Sequence, residues 1–156
     1  MMNRIAVFSS RKKLKKYERQ ILALAQRVFF FLRKGNVAVE FFLLDESQMR
    51  RINRRFGKKD KVTNVLSFVE PKDFIYPPEL FSKKVGRVNP ASRFKRAGEI
   101  YLCPDFIVKK KQSFELMVVH GILHLLGYGH RNRKERARME RKEEKILKFL
   151  TEKRFS

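Results

Sequence analysis

The chain has 156 residues, 43% of them hydrophobic, which supports one ordinary core and excludes a disordered chain; a single domain over residues 1–156 is expected. Its 38 Lys and Arg against 16 Asp and Glu give a formal net charge of +22, far more than solubility requires, so the expected partner is a polyanion, with nucleic acid favoured. The single cysteine, Cys103, excludes an intramolecular disulfide and suits a reducing, intracellular compartment, where its simplest role is that of a small buried residue.

In chain order, the basic start MMNRIAVFSSRKKLKK lacks the apolar core and cleavage chemistry of a secretory signal and reads as mature sequence, with RIAVF as a strand. Ser9 or Ser10 is placed to cap a helix in which Leu14, Tyr17, Ile21, Leu24, Ala25, Val28 and Leu32 recur at helical spacing, ended by Lys-Gly-Asn at 34–36. Its apolar stretch is broken by Gln26 and Arg27 and falls short of the roughly 20 residues that span a bilayer, so no membrane segment is expected.

VAVEFFLL at 37–44 reads as a strand, and Asp45 and Glu46 open a helix through Met49 and Ile52 towards Phe56, closed by Gly57. TNVLSFVE at 63–70 and EIYLC at 99–103 are further strands; between them lies a proline-rich segment expected to be long, irregular and exposed. Phe114 to Leu126 is apolar around most of its circumference and predicts a buried helix, broken by Gly127, Tyr128 and Gly129. A charged helix from about Arg133 to Lys153 follows, with Ala137, Glu140, Ile146, Leu147 and Leu150 placing its packing in the later turns. The pattern implies an α+β fold: a small mixed sheet of about four strands packed against helices.

HGILHLLGYGH, residues 120–130, holds all 3 histidines of the chain. His120 and His124, four apart on a helix, project from one face within reach of a shared ion, and Gly127 can adopt positive φ so that His130 returns towards them. Two helical histidines arise by chance and a lone one is usually a hydrogen-bonded core or surface residue, but three around a glycine point to a metal site. Three protein ligands leave a tetrahedral zinc one open position, the catalytic pattern; a structural zinc normally takes four, and Cys103 is the only thiol. The spacing matches the zinc peptidase pattern H-E-x-x-H-x-x-G-x-x-H, except that Gly121 stands in place of the glutamate that acts as base, which weakens a peptidase reading.

These residues resemble the YbeY endoribonucleases. The family signature H-G-x-L-H-L-x-G-Y-D-H corresponds to HGILHLLGYGH, and the block L-N-x-x-Y/F-R-x-x-D-x-x-T-D/N-V-L-S-F to INRRFGKKDKVTNVLSF from Ile52 to Phe68. Gly98, Glu99 and Ile100 match a third short element, Met139 follows the histidines as a methionine does in the family, and the likeness covers most of residues 37–150. The resemblance implies a metal-dependent hydrolase, usually assigned one zinc, that acts on single-stranded RNA during 16S ribosomal RNA maturation and ribosome quality control in the bacterial cytoplasm, with His120, His124 and His130 as ligands. RNA, as ribosomal RNA or the ribosomal subunit, is then the partner, with no membrane involved; the oligomeric state stays open.

Three positions depart from the family pattern: Gly129 replaces an aspartate before the third histidine, Gly57 replaces an arginine suited to holding phosphate, and Val69 replaces a proline. Arg54, Arg55, Lys58 or Lys59 could stand in for that arginine. The expected reaction is attack of an activated water on a phosphodiester held by the basic face, with Arg55 or Lys59 neutralising transition-state charge and Ser67 and Asn53 lining the cleft. Serine beside a turn and asparagine near a helix end also serve local hydrogen bonding, and Asp60 reads as a turn residue more than a base. Two other readings stand beside this one: a non-catalytic RNA-binding ribosome-assembly factor with a structural metal, and a metallohydrolase of small substrates, which leaves the charge unexplained.

Overall fold

A computed structural model describes residues 2–70 and 94–152. The elements run β1 (Arg4–Ser9), a 3-10 turn (Lys12–Tyr17), α1 (Glu18–Phe31), β2 (Val37–Leu43), α2 (Glu46–Ile52), a π-helical turn (Asn53–Gly57), β3 (Val65–Val69), β4 (Lys95–Leu102), α3 (Pro104–Lys109), α4 (Phe114–Leu125) and α5 (Arg133–Glu152). The strands form one mixed sheet in the order β1-β2-β4-β3, with β1, β2 and β4 parallel and β3 antiparallel to β4 at the end of the row. This is the expected α+β architecture.

Helices on both faces explain why β2 shows no apolar–polar alternation: Ala38 through Leu43 are all buried. On one face Val39, Phe41, Leu43, Ile100 and Leu102 pack with Ile21, Ala25 and Val28 of α1, Val118 and Ile122 of α4, and Ile146 of α5. On the other, Phe42, Leu44 and Tyr101 meet Met49 and Ile52 of α2, and Cys103 joins them. Burial pushes the Cys103 thiol up to about 11, so it stays protonated and unreactive, consistent with a packing role. α2 starts on a reciprocal cap: Asp45 accepts from the Gln48 amide at 2.9 Å, and Gln48 Oε1 accepts from the Asp45 amide at 3.0 Å.

Three local expectations are corrected. Neither Ser9 nor Ser10 caps α1; their hydroxyls donate to Glu18 and Gln48 instead, and the 3-10 turn precedes the helix. β4 starts at Lys95 and not at Glu99, because a register shift between Ala38 and Val39 carries it past Gly98, whose φ of +145° hides the strand from a pattern reading. α3 was not signalled, since its six residues are too few to show a period, although Pro104 sits at its first turn, where proline is favoured. Residues 71–93 of the expected irregular segment lie outside the described residues, as does Lys153, where the last helix was expected to end. Among the described residues no helix is long and apolar enough to cross a membrane.

Candidate metal centre

α4 places the first two histidines. Ser113 Oγ accepts from the Leu116 amide at 3.1 Å to start the helix, and Val118, Val119, Ile122 and Leu123 are fully buried, so its rotation about its axis is fixed by the core. The helix ends where Leu126 N donates to Ile122 O, Gly127 adopts φ +98°, and Tyr128 N donates back to Leu123 O. A side chain at Gly127 would be strained in that conformation, which is what reverses the chain. His130 thereby comes back over the helix end, and one ring nitrogen from each of His120, His124 and His130 lies within 4.8 Å of the others. The Nε2 atoms of His120 and His124 are 3.0 Å apart.

α5 supplies what holds His120. Met139, Glu143, Ile146 and Leu150 form its buried stripe, and Glu143 Oε2 lies 2.8 Å from His120 Nδ1. A carboxylate only accepts, so Nδ1 carries the proton and Nε2 presents its lone pair to the other two rings. Burial pushes the His124 pKa below its ordinary value, and the neighbouring His120 and His130 rings push it further in the same direction. The neutral form so favoured is the one that binds metal.

The cluster lies between two hollows. One, of about 310 Å³, is lined by the three histidines together with Val65, Leu66, Ser67 and Val69. The other, of about 140 Å³, is lined by His120, His130, Arg136, Met139, Glu140 and Glu143. Ser67 Oγ donates to Gly121 O at 3.0 Å and ties β3 to α4 beside the rings.

Gly121, where the peptidase pattern has its glutamate, faces the sheet: a Cβ there would stand 3.0 Å from Ile100 Cγ2 and 3.3 Å from both Ser67 Oγ and Val65 Cγ2. Any side chain at that position starts tightly against β3 and β4 and requires those neighbours to shift by a few tenths of an ångström. A Cβ on Gly57 would fall 2.1 Å from Asn53 Oδ1, so an arginine there requires Asn53, buried and donating to Lys61 O at 2.9 Å, to move aside. At Gly129 a Cβ would lie 3.2 Å from Glu135 Oε2, and that same oxygen accepts from Arg131 N at 3.2 Å. A carboxylate from α5 thus stands beside the position where the resemblance expects one from the loop.

The other expected residues are distributed less tightly. Ser67 lines the larger hollow, whereas Arg55 and Lys59 are exposed in and just after the π-helical turn and are not among its lining residues. Arg55 lies over the Phe56 ring at 5.1 Å, and the Lys59 amide donates to Asn53 O at 3.2 Å. Asp60 is paired with Arg50 at 2.8 Å, a hydrogen bond that lowers its pKa, as suits a surface turn. Glu143 was missed by the sequence reading, although an acid at 143 between Met139, Ile146 and Leu150, at spacings of four, three and four, marks a charge on an apolar stripe that must find a partner.

A family model described as Endoribonuclease YbeY matches residues 3–151. Similar proteins carry the same name: one from Bartonella henselae is 38% identical over 126 residues, covering 74% of this chain and 71% of that protein. One from Buchnera aphidicola subsp. Schizaphis graminum is 34% identical over 127 residues, covering 76% and 70%. One from Syntrophus aciditrophicus is 28% identical over 150 residues, covering 94% and 89%.

Proposed function

The chain belongs to the YbeY endoribonuclease family, and on that premise we propose that it is a zinc-dependent hydrolase cutting phosphodiester bonds within single-stranded RNA, with ribosomal RNA as its target in the bacterial cytoplasm. The observation that carries the reading is the convergence of three imidazole nitrogens, from residues on one helix and the turn that follows it, with one of the rings oriented by Glu143. Imidazole nitrogens suit zinc, and among the described residues the set has three protein donors where a structural site takes four. When bound, the ion supplies Lewis-acid polarisation of a phosphoryl oxygen and an activated water near neutral pH.

The chain's own residues bind and orient. Glu143 holds the His120 ring with Nε2 towards the cluster. Ser67, its proton given to Gly121 O, keeps acceptor lone pairs at the wall of the larger hollow, where a ribose hydroxyl can donate. Arg55 and Lys59 carry exposed positive charge on the surface after α2, where it attracts the phosphate backbone and offsets charge that builds up on it. Backbone charge of this kind binds RNA without reading its sequence.

His124→Ala is the direct test. The variant is expected to lose bound zinc and RNA cleavage together while keeping its helical signal, because His124 is only partly buried. Normal cleavage by a variant that holds no metal would overturn the proposal and leave a cationic RNA binder.

A further inference from the structure

Phe30, on the last turn of α1, is 72% exposed, and Met2 beside it is 62% exposed. Neither belongs to the metal centre. Phe30 stacks on Phe149 of α5, with ring centroids 6.2 Å apart and planes 27° from parallel, and Phe31 meets the same ring at 5.1 Å. Cations close over these rings: Arg27 lies 5.9 Å from the Phe149 centroid and Lys142 5.9 Å from that of Phe31. Arg27 is itself held in place by donating to Leu150 O at 2.8 Å. A groove of about 350 Å³, lined by Met2, Asn3, Gln26, Phe30 and Lys34, opens against the exposed ring.

The patch continues towards the metal centre along one side of α5. Arg138, Lys142, Lys145 and Phe149 recur at spacings of four, three and four, and so share a face. At the far end Arg138 covers the Tyr128 ring at 5.1 Å, and Tyr128 is in the turn that carries His130. The eleven helical steps from 138 to 149 span roughly 16 Å at the standard rise. Rings and cations therefore follow one another from the histidine turn to the end of α1.

We propose that this surface is an accessory platform for single-stranded RNA, on which an unpaired base outside the cleavage site stacks on Phe30 while Arg27, Lys34 and Lys142 meet the flanking phosphates. Alternating aromatic rings and cations are what sequence-tolerant single-strand binding uses, since every base has a π face and every linkage a charge. Charge complementarity favours this occupant over a second copy of the chain: no residue named in the patch is acidic, and pairing two such patches would bring like charges together. The proposal rests on the RNA-cleaving reading for the identity of the polymer, but its test does not need cleavage.

The test is binding of a labelled 12-nucleotide oligouridylate, followed by fluorescence anisotropy in chelator, for the unaltered protein, Phe30→Ala, Phe30→Leu and Phe30→Trp. Phe30→Ala and Phe30→Leu are expected to weaken binding by roughly tenfold, the loss of one stacked base, and Phe30→Trp to retain it, with binding of an RNA duplex unchanged in all four. Equal affinity across the four proteins on the oligouridylate overturns the platform, and so does a leucine variant that binds as well as the tryptophan one. A concentration-dependent dimer seen by sedimentation in the unaltered protein and lost in Phe30→Ala would instead assign the patch to self-association and overturn the proposal. Cleavage of the same oligouridylate by the zinc-loaded unaltered protein is measured alongside. Absence of that cleavage refutes the nuclease reading without touching the platform, and its presence with no effect of Phe30 on binding refutes the platform alone.

Discussion

His120 presents Nε2 to the cluster because its Nδ1–H is committed to Glu143, 2.8 Å away, and that carboxylate reaches it from a helix the histidine motif does not include. Glu143→Ala should therefore weaken zinc binding by roughly 10- to 100-fold, while Glu143→Gln, which can still accept the Nδ1–H hydrogen bond, should lose less; competition titration against a chromophoric chelator measures both. Equal affinity in all three proteins would remove Glu143 from the account. His124 carries a second consequence. Its folded-state pKa lies below its ordinary value of 6.5, so as pH falls the unfolded chain takes up the proton first. The stability of the metal-free protein is thus fully present above that range and declines as pH is lowered through it, which melting of chelated protein from about pH 7.5 to about pH 5.5 would show. The histidines were legible because spacing on a helix and a glycine behind it are local facts of the sequence. Glu143 was not, because its partner is 23 residues away and only the packing of α5 on α4 joins them.

At the scale of the elements, the close contact of α4 with β3 and β4 puts the rings beside a strand, and Gly121 permits it. Gly121→Glu would restore the peptidase motif on paper. It is expected instead to destabilise the fold by about 3 kcal/mol or more, since the side chain would overpack the core and bury a charge against Ile100 and Val65, and to confer no peptidase activity. Urea unfolding measures the first, and a variant as stable as the parent would show that the helix has more freedom than this packing allows. The elements with uninterrupted patterns, β2 and α4, could be read almost to the residue, whereas α1 was legible only in its later turns because a 3-10 turn takes the place of its expected start. Those that depend on a neighbour could not: the first half of β4 is held by a bulged pairing with β2, α3 by a proline turn too short to show a period, and the π-helical turn at Asn53–Gly57 by the hydrogen bonds of Asn53 to Lys61 and Lys59.

For the whole molecule, charge and site support one another. A net charge of +22 draws in a phosphate polymer from any direction, and its effect weakens as salt screens it, so by itself it predicts binding without chemistry. The three histidines supply a place for chemistry but not a substrate. Only together do they describe a nuclease, and the family to which the chain belongs is consistent with both. Composition made the polyanion legible at once, whereas the basic surface could be divided into cleft, turn and aromatic patch only when α1, α2 and α5 were placed around the sheet. The most direct test of the whole account is elemental analysis of the purified protein, paired with cleavage of unstructured RNA before chelation, after it, and after zinc is restored. About one zinc per chain, cleavage abolished by the chelator and recovered with zinc, is the predicted result; undiminished cleavage by protein shown to be free of metal would contradict it.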